Sequence, residues 1–168
     1  MWEQKHQEAF EQLKSVLASD LALTHYDPTK KLIVAVDAFS YGMGAVLLHE
    51  MSDGSKRPVM HAARAFSSAE KNYPQIQQEA LALIFALKKF HRYVYGRHFE
   101  LQPDHQPLLA IFGNKKGILV HTASRLLRYA FILLAYGFHI CFINTDSFAY
   151  ADFCHVLSVH MSDLTKTL

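Results

Sequence analysis

Cysteine is scarce in this chain: Cys141 and Cys154 are the only two in 168 residues. A bridge between them is open, but nothing in the pattern demands it, and a domain of this size buries a full core without a covalent staple. Eleven histidines are present, yet none falls beside a Cys pair at zinc-finger spacing, which argues against a structural zinc site. An excess of one charge sign is also missing, the charged fraction of 19% being ordinary for a globular protein. A net charge of +2 is too small to announce nucleic-acid binding by itself. Long apolar runs are missing too: the most apolar stretch, Ala130 to Tyr136, is far too short to cross a bilayer. The N-terminus is polar and helical in pattern, unlike a signal peptide. No internal repeat or low-complexity linker interrupts the chain. These absences lead us to expect one globular domain in a reducing, intracellular setting, cytoplasmic or nuclear, with no membrane partner.

What the chain does have is an apolar run, Leu32 to Val36, that leads into a single carboxylate at Asp37. The spacing predicts a turn through Ser40, Gly42 and Gly44 and then a second apolar run. A carboxylate near a core either raises its pKa or finds a cation. The bland alternative is an Asp that caps the turn with its own side chain. Both readings stand at this point.

Taken in order, residues 1–30 read as a lead-in helix (Glu3 to Leu17) and a connector, and residues 31–168 as the main domain. Strands are expected over Lys31 to Asp37, Met43 to Glu50 and Arg57 to Ala65. The last two are joined by the turn signal Ser52-Asp53-Gly54-Ser55. Ser67 to Glu70 has capping-box form. A long helix should then run from Pro74 to about Tyr95, with Ile76, Ala80, Leu83, Leu87, Phe90 and Val94 on one stripe. Glu79 falls at the edge of that stripe, as a rim residue or as an inward-facing ligand. A short strand over Phe99 to Gln102 ends at Pro103 and Asp104. Helices over Pro107 to Phe112 and from Thr122 or Ser124 onward follow, then a strand over Phe138 to Ile143 and a final helix over Tyr150 to Leu157 carrying Asp152. This order implies an α/β fold: a mixed five-stranded sheet with helices on both faces.

Strand ends are where sites form in such sheets. Asp37 and Asp104 stand at strand ends, and Glu79 and Asp152 on helices. Four carboxylates aimed at one place repel unless divalent cations lie between them. All-carboxylate ligation selects hard ions, Mg²⁺ or Mn²⁺, and a pair of them suits in-line displacement at a phosphodiester.

Several segments in the right order carry a family resemblance. They are Glu8-Ala-Phe-Glu-Gln-Leu-Lys14, Val36-Asp-Ala-Phe-Ser-Tyr-Gly-Met-Gly-Ala-Val-Leu47, Ser68-Ala-Glu-Lys-Asn-Tyr73 with Gln78-Glu-Ala-Leu-Ala82, His91-Arg-Tyr-Val-Tyr-Gly-Arg97, Asp104-His-Gln-Pro-Leu108 and Ala151-Asp152. Over nearly its whole length the chain resembles the ribonuclease H domain of a Ty3/gypsy-type retrotransposon polyprotein, the segment that follows the reverse transcriptase. The resemblance implies a ribonuclease H-like fold and hydrolysis of the RNA strand of an RNA–DNA hybrid with two Mg²⁺ (or Mn²⁺) ions, leaving a 3′-hydroxyl and a 5′-phosphate. It implies that Asp37 bridges both ions and that Glu79, Asp104 and Asp152 complete the catalytic ligand set. Its implied partners are the hybrid and an upstream reverse transcriptase domain. Lys115, Lys116, Arg125 and Arg128 are candidate phosphate contacts, the alternative being a solvated basic face.

The pattern also departs from the family's. Phe39 stands where a small polar residue is usual, and Pro103 where Thr usually precedes the third Asp. Proline there removes a backbone donor and is expected to prevent sheet pairing. Ile143-Asn-Thr-Asp-Ser-Phe-Ala-Tyr150 replaces a basic, Gly- and Asn-containing approach to the fourth Asp. Phe153-Cys-His-Val-Leu-Ser158 replaces the run after it, and Tyr129 a Trp. These changes leave open a second function class: a host-domesticated copy that keeps the fold as a protein- or nucleic-acid-binding module with little catalysis. An exposed apolar face at Phe131 to Leu134 or Phe148 to Tyr150 would point that way. A general Mg²⁺ hydrolase of another α/β type is a weaker third reading, against which the motif order argues.

Overall fold

A computed structural model of the chain describes residues 23–113 and 124–142, together with Gln4, Gln7, Glu8 and Glu11. Those four are helical and linked by bonds from Gln4 to Glu8 and Gln7 to Glu11, in keeping with a lead-in helix. The rest of that helix, Lys115, Lys116, Asp152, Cys154 and the expected final helix lie outside the described residues.

The unbroken apolar run after Lys31 forms β1 (Lys31–Phe39), buried on both faces, which pairs antiparallel with β2 (Gly42–Glu50). β3 (Lys56–Ala65) continues the meander as the edge strand. The turn between β1 and β2 is Ser40-Tyr41 alone, so Gly42 and Gly44 belong to β2 and not to the turn. Gly42 is needed for a different reason: a Cβ on it would stand 2.5 Å from the Arg64 carbonyl oxygen of β3. The β2–β3 turn forms where its sequence signal lies. Met51 and Ser55 close it, Gly54 takes a positive φ of 80°, and the Asp53 carboxylate accepts from the Ser55 N–H and hydroxyl. Pro58 is tolerated because it sits on the edge strand, beside the register shift at Leu47/Leu48.

The long helix is shorter than its stripe suggests. α1 (Gln75–Lys89) stops at Phe90, whose φ and ψ of −97° and 14° leave the helical region, and α2 (His91–Val94) is a separate turn. Phe90 and Val94 still point into the core, so the stripe survives the break. β4 (His98–Pro103) then pairs parallel with β1, and Pro103 is in register with Val36. Proline therefore does not prevent pairing here; it occupies the last position of the strand, where a missing donor ends the ladder. α3 (Pro107–Phe112) and α4 (Ser124–Leu133) precede β5 (Gly137–Ile140), which pairs parallel with β4. The sheet order is β3-β2-β1-β4-β5, a mixed five-stranded sheet as expected.

One core fills the space between the sheet and the described helices. Leu32, Val34 and Val36 from β1 meet Leu83 and Leu87 from α1, Leu108 from α3, and Leu126 and Leu133 from α4. Each large apolar side chain fully buried there contributes about 1.5–3 kcal/mol. The other sheet face carries a smaller buried cluster of Ile33, Ala35, Val46 and Leu48. Ahead of β1 the chain is tied down at His49, which is buried. Its ring accepts from the Asp27 N–H at 2.9 Å, so the proton sits on Nδ1, facing the Lys31 carbonyl. Burial holds its pKa below the usual histidine range.

Candidate active site

Asp37 lies inside the ladder, opposite Gly44 and ahead of the end of β1, rather than in the Ser40-Tyr41 turn. By strand alternation its side chain shares the face of Ile33 and Ala35. Asp104 follows directly on the last residue of β4. The two strands do not end together: β4 stops at Pro103, opposite Val36, while β1 runs on to Phe39. The backbone of β1 beyond Val36 therefore has no β4 partner, and a notch opens between the strand ends.

Glu79 enters that notch from α1. Its residue is only 6% exposed, so the inward orientation wins over the rim. The carboxylate accepts a hydrogen bond from the Gln75 side-chain amide at 2.7 Å and another from the Ala38 N–H. Burial first, and then the negative charge of Asp37, push its pKa up to about 8; Asp104 adds a smaller push in the same direction. Asp37 of β1 and Asp104 at the end of β4 are thus near enough to Glu79 for their charges to act on it. Among the described residues, however, no group of three or more Asp, Glu, His or Cys side chains is placed so that it could hold a metal ion as it stands. The fourth candidate, Asp152, lies outside the described residues.

The donor chemistry fits a divalent cation. The donors are hard oxygens, and among the described residues the two groups that bond the buried Glu79 carboxyl, an amide and a backbone N–H, carry no charge that would oppose an ion. Beside Asp104, His105 has a buried Nε2 with no hydrogen-bond partner among the described residues.

The segment in front of α1 is built to hold Glu79 still. The capping box forms: the Ser67 N–H donates to Glu70 Oε2 at 2.8 Å and the Glu70 N–H to Ser67 Oγ at 3.4 Å. Arg64 of β3 grips the same carboxylate with two bonds of 2.7 and 2.8 Å, and that guanidinium holds the Glu70 pKa down to about 2. Gln78, buried, donates to the Glu70 and Lys71 carbonyls. Arg125 of α4 is half-buried, stacked 3.7 Å over the Tyr73 ring and bonded to Gln77. Arg128 is exposed. Sequence reading had not singled out Gln75, Gln78 or Tyr73. The four-residue step from Gln75 to Glu79 was a signal in plain view, since such pairs share a helix face.

Comparison with known proteins agrees with this architecture. Residues 2–101 match the model of the RNase H-like domain found in reverse transcriptase. Over 99% of its length the chain is 32% identical to the retrovirus-related Pol polyprotein from transposon 412 of Drosophila melanogaster, of which it spans 13%. It is 37% identical to the Pol polyprotein from transposon gypsy of the same fly over 60% of this chain and 9% of that one. RNase H1 from the halophilic archaeon Halobacterium salinarum superposes with a TM-score of 0.53 at 17% identity, covering 73% of this chain and 92% of the other. The sheet order, the notch and a family match across more than half the chain agree: it belongs to the RNase H-like domains of reverse transcriptases, of the Ty3/gypsy type.

Proposed function

We propose that this domain hydrolyses the RNA strand of RNA–DNA hybrids, using Asp37, Glu79, Asp104 and Asp152 to hold two Mg²⁺ or Mn²⁺ ions. The observation that carries the reading is the buried Glu79 carboxylate within reach of the charges of Asp37 and Asp104, its bonding partners among the described residues being neutral donors. A bound divalent ion would supply Lewis-acid activation of water and stabilise the leaving 3′-oxygen. The chain's own residues do the rest. Asp37 lies in the ladder, so its backbone position is rigid, and the first turn of α1 is clamped by Gln78 to the capped turn in front of it, which fixes where Glu79 stands. Lys115, Lys116, Arg125 and Arg128 contact the hybrid's phosphates, with Arg125 oriented by Tyr73. Such contacts read duplex shape more than sequence.

The test is Mg²⁺- and Mn²⁺-dependent cleavage of a labelled RNA–DNA hybrid, with Asp37→Asn as the control. Cleavage lost in the variant supports the enzyme. A folded chain that cleaves with neither ion refutes it. A second reading, a binding module derived from the same ancestor, is favoured by one observation: Phe131 and Leu134 are 61% and 69% exposed, three residues apart on α4 and its exit. Hybrid binding or self-association without cleavage is its signature in the same experiment.

A further inference from the structure

We propose that Gln75 is a positioning residue for Glu79: its side-chain amide fixes the direction in which that carboxylate presents itself to an ion. This rests on the reading of Glu79 as an ion ligand. Gln75 Nε2 donates to Glu79 Oε1 at 2.7 Å, across one turn of α1. Gln75 is itself exposed, the first residue of its helix, so packing gives no reason for its side chain to fold over the notch. The helical turn that carries it is anchored just beyond it, by Gln78 to the Glu70 and Lys71 carbonyls and by Gln77 to Arg125. A rigid base with an amide N–H directed at one carboxylate oxygen is suited to aiming a neighbour.

The choice of an amide is informative. A lysine at this position would satisfy Glu79 more strongly but would compete with a cation for the same oxygens. A carboxylate would add repulsion to a place that already has three. An amide orients the carboxylate while leaving its charge for the ion, and it fills one of roughly four lone-pair sites on the two oxygens. With the Ala38 N–H it makes two neutral donors that hold Glu79 from different directions. Outer partners of this kind commonly change ion affinity by about 10–100-fold when removed.

Two variants separate aiming from folding. Gln75→Met keeps length and helix propensity but has no donor, and Gln75→Glu replaces the donor with a charge. Mn²⁺ binding to the whole chain is measured by titration calorimetry, alongside thermal melting and hybrid cleavage, with Asp37→Asn as control. Gln75→Met is expected to weaken Mn²⁺ binding about 10-fold or more. Its melting temperature should stay within a few degrees of the parent, its KM for the hybrid should not move, and its rate should recover at saturating Mn²⁺. An unchanged ion affinity in Gln75→Met, with the parent binding Mn²⁺ and Asp37→Asn not, overturns the positioning role and leaves the proposed function standing. A parent that binds no Mn²⁺, or an Asp37→Asn variant that binds it undiminished, overturns both. A rate loss in Gln75→Met that saturating Mn²⁺ does not restore also counts against positioning.

Discussion

Without a divalent ion, the buried Glu79 should make the fold less stable as the pH rises, and replacing it with Gln should remove that penalty. The folded chain holds this proton up to about pH 8, against an ordinary 4.5. Between those values the native state binds a proton that the unfolded state has released, so this group's contribution to stability falls with rising pH across that window and is flat outside it. At about 1.4 kcal/mol for each pH unit the full penalty approaches roughly 5 kcal/mol. Relaxation of the site around the ionised carboxylate is expected to lower it to about 2–4 kcal/mol, which for a chain of this size moves the melting temperature by roughly 5–15 °C. His49 and His61, whose pKa values burial depresses, act with the opposite sign, losing stability as the pH falls through their range. The difference between the parent and Glu79→Gln cancels them. The assay is thermal melting of both proteins in EDTA from pH 5 to 9. Glu79→Gln should gain steadily over the parent up to about pH 8, and Mg²⁺ should narrow the gap by stabilising the parent. Parallel melting curves at every pH would refute the electrostatic reasoning.

Two further outcomes test the supports of the site. Glu70→Gln removes the bidentate grip of Arg64 and should cost about 1–2 kcal/mol at pH 7 after allowance for solvent screening. Because the folded pKa of Glu70 lies near 2, the parent should lose that same stability as the pH falls from 4.5 toward 2, which urea titrations at several acid pH values would show. Gly42→Ala drives a methyl group against the Arg64 carbonyl, where the backbone of β3 has to move, and should cost about 1–3 kcal/mol in the same titration at neutral pH.

Much of the fold was legible because its elements announce themselves locally. The β2–β3 turn needed only Asp53 and Gly54, and α3 runs over the residues its proline and apolar pattern indicated. The misreadings have a common cause, which is that position within an element depends on the neighbouring strand. Gly42 looked like a turn residue, but β3 passing within contact distance is what requires it. Pro103 looked like a pairing failure, but parallel register with Val36 places it at the one position where a missing donor is harmless. The helix break at Phe90 was hidden because the apolar stripe continues unbroken through α2. For the candidate site, the carboxylates Asp37, Glu79 and Asp104 could be named from the sequence. The inward turn of Glu79 could not, since a stripe-edge position is compatible with either direction until the strand ends beside it are known.

The notch between β1 and β4 is at bottom a place where hydrogen bonds are withheld. β1 is two strands' worth of backbone as far as Val36, zipped on both edges, and a single-edged ribbon beyond it. The Ala38 N–H that Glu79 accepts is a donor that a longer β4 would have claimed. A residue with a free N–H and a taste for extended structure at position 103 could let the zipper close further, displacing the glutamate from its berth. The opening is therefore sized by where one strand is made to quit, and chemistry becomes available to the chain at the point where its sheet is left unfinished.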